Sequence, residues 1–399
     1  MTPSTEHVPE FDPAAVRDKY ERERAKRMTE TRGILYDLKT DERFTAYTRD
    51  PHTPFVERDS VATDVDVAII GAGMSGVVAG AKLRDAGLRR IMLIDKAGGV
   101  GGTWYWNRYP GVMCDVESYI YMPMLEEMNY VPTTRYAFGD EIRRHLDAIA
   151  TKYGLVDDAL FHTGVETSRW DESSGHWVIS TDRGDEIRAR YLILAPGILN
   201  LMKLPAIPGM DDFQGTAFHT ARWDYEYTGG GPDDPHLTNL ADKVVGVVGV
   251  GASGIQAVPP LAESAKHVYV FQRTPSAIGV RGNRPTDEEF GEHLRPGWQR
   301  ERMENFSALM IGRPVETNLV DDGWTWHTAR LNNPVIEPGM DPGDIARMVE
   351  ELDYRVMEEH RERIEELVAD PAVAEMLKPY YRYGCKRPCF HDEYLAAFN

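Results

Sequence analysis

Residues 65–87 read VDVAIIGAGMSGVVAGAKLRDAG, an apolar run from Val65 to Ile70 that turns through Gly71, Gly73 and Gly76 into a helical pattern. Strand, G-x-G-x-x-G and helix in that order build a phosphate cradle. The glycines permit a tight turn, close approach of backbone N–H groups to a pyrophosphate, and close helix packing. The stretch RRIMLID then reads as a second strand ending in Asp95, nineteen residues past Gly76, where a carboxylate can accept bonds from ribose hydroxyls.

The unit recurs. Residues 242–258, DKVVGVVGVGASGIQAV, carry another apolar strand followed by a cradle of Gly249, Gly251, Ser253 and Gly254, and HVYVFQRTP supplies Arg273 and Thr274, with Arg273 again nineteen residues past its third motif glycine. One such motif is a weak signal. Two in the same order predict an α/β protein with two Rossmann-like dinucleotide-binding domains. The copies differ at the ribose position, where a carboxylate repels a 2'-phosphate and a guanidinium clamps it. The first is expected to hold FAD and the second NADPH, with hydride passing between them. Disulfide reductases share this layout but need a close cysteine pair after the first unit, and only Cys114 stands there.

A net charge of -19 over 399 residues argues against a nucleic-acid or anionic-membrane partner. The N-terminus shows no apolar signal region and the chain has no run long enough to span a bilayer, so a cytoplasmic enzyme is the expectation. Cys385, Cys389 and His391 cluster in sequence, but a fourth ligand with suitable spacing is missing and no metal is expected.

Two further stretches carry a resemblance. GGTWYWNRYPGVMCD, residues 101–115, matches [AG]-G-x-W-x-x-x-x-[FY]-P-[GM]-x-x-x-D, and FQGTAFHTARWD, residues 213–224, matches F-x-G-x-x-x-H-x-x-x-W-[PD] at Phe213, Gly215, His219, Trp223 and Asp224. With the two glycine motifs, the chain resembles the type I Baeyer-Villiger monooxygenases, flavoproteins that use NADPH and dioxygen to insert an oxygen atom beside a ketone carbonyl. The resemblance implies that Thr103, Trp104, Asp115, Val116 and Tyr121 line the FAD. It implies that His219, on the linker between the cofactor domains, couples domain motion to catalysis. In YGCKRPCFHDEY, it implies that Arg387 stabilises the peroxyflavin and the nicotinamide, that Asp115 orients Arg387, and that Lys386 helps Arg273 and Thr274 grip the 2'-phosphate.

The expected organisation is an N-terminal extension over 1–64, forming a solvated wrap, a first FAD-binding segment over 65–199, and an NADP-binding domain over 200–399. The last contains the linker 213–224 and a helical insertion at about 282–380. Within that insertion Ile345, Met348, Val349, Leu352 and Val356 recur at helical spacing and predict one core-facing stripe. The resemblance also implies further strands after Asn399, so the chain reads as C-terminally truncated and is expected to retain FAD poorly. Two alternatives stay open: an N- or S-oxygenating flavin monooxygenase, and a nucleotide-binding fragment without turnover. The particular ketone and the oligomeric state are not legible.

Overall fold

The computed structural model describes residues 11–28, 35–36, 38, 41–199, 201–332, 334 and 336–399. Strands β1 (Ala62–Ile70), β2 (Ile91–Ile94), β3 (Val165–Asp171), β4 (His176–Thr181) and β5 (Glu186–Leu194) form one sheet in the order β2-β1-β5-β4-β3. The first three run parallel and the β3–β4 hairpin adds antiparallel to β5. The β1–β2 crossover is the helix Met74–Asp85, packed under Val67, Ile69 and Leu93 together with helix Gly139–Lys152, whose Ile142, Leu146 and Ile149 are fully buried. Residues 67–70 of β1 are all apolar because the strand lies between two parallel neighbours and is covered on both faces.

The second unit repeats this plan in smaller form. β6 (Val244–Val248) pairs in parallel with β7 (His267–Phe271) across the helix Ala252–Ser264. A short parallel pair, β8 (Ile278–Gly279) with β9 (Cys389–Phe390), brings the C-terminal segment back beside this unit. Between them lie the helices Trp298–Met310, Gly323–Asn332, Pro342–Leu367 and Pro371–Leu377. Among the described residues no helix is long and apolar enough to cross a membrane.

One expectation is corrected here. Of the five stripe residues in helix Pro342–Leu367 only Val356 is buried. The buried face runs Asp353, Tyr354, Val356, Met357, His360, Arg361 and Ile364. Hydrophobic periodicity missed it because the polar members are held by specific partners: Arg361 donates to Glu358, to the Tyr20 hydroxyl and to the Pro379 carbonyl. Most of the described part of 1–64 is exposed or half-buried, and it is anchored at a few points. Tyr20 and Phe44 are buried, β1 begins inside it at Ala62, and Arg58 grips Asp185 with two bonds of 2.6 Å. That Arg58 fork holds the Asp185 carboxyl well below the usual range despite its burial.

Candidate active site

The two cradles are built alike. The first glycine of each has a positive φ, +110° at Gly71 and +102° at Gly249, which a side chain would strain. A Cβ on the third glycine, Gly76 or Gly254, would collide with the carbonyl oxygen of the first. Gly73 and Gly251 each cap the following helix, so its free N–H groups point out of the turn.

Gly71, Gly73, Asp95, Thr103, Trp104 and Tyr121 line one cavity of about 450 Å³. The Asp95 carboxylate accepts the Ala72 N–H at 2.6 Å and the Ala97 N–H at 2.8 Å, one per oxygen, leaving each oxygen a further lone pair. Burial raises its pKa, and the two backbone bonds oppose the shift. Trp104 donates from Nε1 to the Tyr121 hydroxyl at 3.1 Å, fixing both rings on one wall. Glycine backbone, a ribose-level carboxylate and an aromatic wall fit a dinucleotide. Asp115 and Val116 lie outside that cavity, and Gly76 acts behind it through the turn.

At the second cradle the equal spacing of nineteen does not give equal positions. Ile70 pairs with Ile94, so Asp95 is one residue past the pairing; Val248 pairs with Phe271, so Arg273 is two past it. Gln272 occupies the register of Asp95 and donates to the Met376 carbonyl at 2.8 Å, while Arg273 stays exposed at the sheet edge. Thr274 is buried. Lys386 donates to the carbonyls of Thr274 at 2.8 Å and Pro275 at 3.3 Å and to the Ser276 hydroxyl at 3.3 Å. All three ammonium hydrogens thus have acceptors, so Lys386 is a strut, and it reaches a 2'-phosphate only by giving up one of these bonds. Burial, and secondarily the charge of Arg273, lower its pKa.

The segment 101–115 joins the cradles. Gly102 approaches so close to Gly73 that a Cβ could not fit, and at the other end Gly111 meets the Gln256 carbonyl in the same way. Gln256, buried in helix Ala252–Ser264, accepts from the Tyr109 hydroxyl at 2.8 Å and donates to the Met113 carbonyl at 2.8 Å. Just beyond, Arg387 forks onto Asp115 at 2.6 and 2.7 Å, and this pairing raises the arginine's pKa. Trp324 lies against the guanidinium at 5.2 Å and donates to the Asp115 carbonyl at 2.7 Å. Cys114 is a buried thiol whose pKa burial pushes up, so it is no nucleophile. Among the described residues no group of His, Cys, Asp or Glu side chains could hold a metal.

In the linker 213–224, Trp223 is buried and meets Phe218 edge-on at 5.2 Å, while Phe213 is exposed. His219 accepts the Ala221 N–H through Nδ1 at 3.0 Å, and Asp224 caps the next helical turn through the Tyr227 N–H. Burial and the neighbouring Arg222 lower the His219 pKa, so the ring is neutral at pH 7 with its proton on Nε2. Arg222 lies over Trp106 at 4.0 Å and donates to the Arg49 carbonyl. Asp50 accepts from the Gly98 N–H and the Tyr105 hydroxyl at 2.7 and 2.6 Å. The N-terminal region thereby ties the linker 213–224 to the segment 101–115. Gln256 could have been noticed as a polar residue in an apolar helix; Arg222 stands at an unspecified position of the 213–224 motif, and Asp50 and Trp324 carry no motif.

Residues 69–131 match the family model of an NAD(P)-binding Rossmann-like domain. The chain is 52% identical over 393 residues to pentalenolactone D synthase of Streptomyces arenae, and 48% identical over 400 residues to a Baeyer-Villiger monooxygenase of Streptomyces coelicolor; each alignment covers 98% of this chain and 66% of the relative. Among solved structures, a polycyclic ketone monooxygenase from Thermothelomyces thermophila superposes with a TM-score of 0.87 at 42% identity, over 96% of this chain and 66% of that one. The OTEMO complex with FAD and NADP superposes with a TM-score of 0.66 at 27% identity, over 84% of this chain and 64% of that one. The chain thus spans 66% of the length of these two relatives.

Proposed function

Since the chain belongs, over these residues, to the Baeyer-Villiger monooxygenase family, we propose that the protein is an FAD-containing, NADPH-dependent monooxygenase that converts a ketone to an ester or lactone. Ketone, dioxygen, NADPH and a proton give ester, NADP⁺ and water. FAD, when bound, supplies the dioxygen-activating chemistry. The observation that carries the reading is the Arg387–Asp115 fork where the flavin segment meets the second cradle. A permanently charged, planar donor suits an oxygen that gains negative charge.

In this reading the N–H groups of the Gly71, Gly73 and Gly76 turn hold the FAD pyrophosphate and Asp95 takes the ribose, while Thr103, Trp104, Val116 and Tyr121 keep the ring in place. Gly249, Gly251, Ser253 and Gly254 hold the NADPH pyrophosphate. Arg273 with Thr274 reads the 2'-phosphate, and Lys386 keeps the 274–276 segment in position for it. Neutral His219 fixes the turn through which the linker moves. Under ¹⁸O₂, FAD-loaded protein given NADPH and a ketone panel forms an ester carrying one ¹⁸O atom. Hydrogen peroxide alone, or N- and S-oxides without ester, would overturn the assignment.

Arg273→Ala tests the coenzyme half. Losing a charge-assisted bond of about 1.5 to 3 kcal/mol weakens NADPH use roughly 10- to 150-fold and leaves NADH nearly unaffected. Equal losses for both coenzymes in steady-state kinetics remove Arg273 from the phosphate site.

A further inference from the structure

Arg281 is 4% exposed, yet its Nε and Nη2 have no hydrogen-bond partner. A buried guanidinium with two of its nitrogens unpartnered is among the costlier arrangements an interior tolerates. Two carboxylates act on its charge, Asp115 more strongly than Asp392. Asp392 is occupied, accepting the N–H groups of Arg281, Gly282 and Asn283 at 2.9, 3.0 and 3.3 Å. Asp115 is held by Arg387 through both oxygens. The other groups that act on Arg281 are Tyr109 and Cys114, and His391 is neutral beside it. Asp115, bonded to Arg387, therefore also acts on the charge of Arg281.

The two arginines differ in freedom. The Arg387 side chain is 51% exposed and can be exchanged to solvent or a ligand, whereas the Asp115 side chain is 8% exposed and cannot be hydrated in exchange. Asp392 anchors the backbone of Arg281, so only its side chain needs to move. We propose that Arg281 is the alternate partner of Asp115, taking the carboxylate when Arg387 leaves it. Asp115 then stays paired and in place throughout, and Arg387 is released to act on a bound cofactor or substrate at lower cost. Arg281 is thus a positioning residue. Only the occasion for that release rests on the function proposed above; the alternate pairing concerns the chain itself.

A mutant cycle read by thermal unfolding of the cofactor-free chain tests the pairing independently of activity. Arg387→Met lowers the midpoint only modestly, because Arg281 then serves Asp115, and Arg281→Met leaves it unchanged or raises it, because it removes a buried charge while Arg387 still holds Asp115. The double variant falls roughly 3 °C or more beyond the sum, the excess disappears in an Asp115→Asn background, and Arg281→Lys in the Arg387→Met background recovers part of it. A crystal structure of Arg387→Met brings the Arg281 guanidinium within hydrogen-bond distance of Asp115. Additive losses, or Asp115 left without Arg281 in that crystal, overturn the proposal. Should the double variant not fold, its Asp115→Asn derivative decides: folding supports the pairing and failure to fold refutes it.

Discussion

Arg387→Ala in FAD-loaded protein lowers ester formed per reduced flavin about 100- to 1,000-fold, the usual loss when a preorganised electrostatic partner is removed from the step it serves. Flavin binding and hydride acceptance from NADPH continue, since Arg387 lies outside the cavity lined by Asp95, Trp104 and Tyr121. The electrons are then lost as hydrogen peroxide. Lysine restores only part of the activity, because an ammonium cannot reproduce the two-pronged contact that Arg387 makes with Asp115 at 2.6 and 2.7 Å. Stopped-flow absorbance separates flavin reduction from reoxidation, and chromatography measures the ester. Near-normal product per reduced flavin in Arg387→Ala would show that another group does this work.

Gly76→Ala costs FAD affinity, roughly 5- to 150-fold, without touching NADPH, and Gly254→Ala does the reverse. In both, the added methyl meets the carbonyl oxygen of the cradle's first glycine, and backbone cannot yield as a side chain end can. Overpacking of this kind costs about 1 to 3 kcal/mol, which is roughly a factor of 5 to 150 in binding. Flavin fluorescence gives one affinity and calorimetry with NADPH the other. Loss of both affinities in either variant would mean that the cradles are not separate sites.

The duplicated cradles were legible because their geometry is local. Whether a residue tolerates a positive φ, and whether a third glycine clears the first one's carbonyl, is decided within a few residues by covalent sterics, so the order of Gly71, Gly73 and Gly76 already implies the turn. The Asp95 and Arg273 contrast was legible as chemistry but not as position. Counting from the third glycine ignores that the second crossover returns one residue sooner, which puts Gln272 in the register of Asp95. The helix Pro342–Leu367 misled for a related reason: periodicity records hydrophobicity, and the Arg361 side chain is buried through its partners instead.

By itself, then, the sequence determined two glycine cradles, their order and the opposite charges of Asp95 and Arg273 that follow them, because those follow from short-range sterics and side-chain type. Tertiary structure alone decided which groups meet between them. Asp115 and Arg387 are 272 residues apart, Gln256 reaches back to Tyr109 and Met113, and Asp50 holds Tyr105 from the N-terminal region. Nor does any local pattern mark Arg281 as a charge left over once Asp115 and Asp392 have other partners. Such contacts depend on how whole elements pack, and a pairing between two charges is fixed only after every competing partner has been placed.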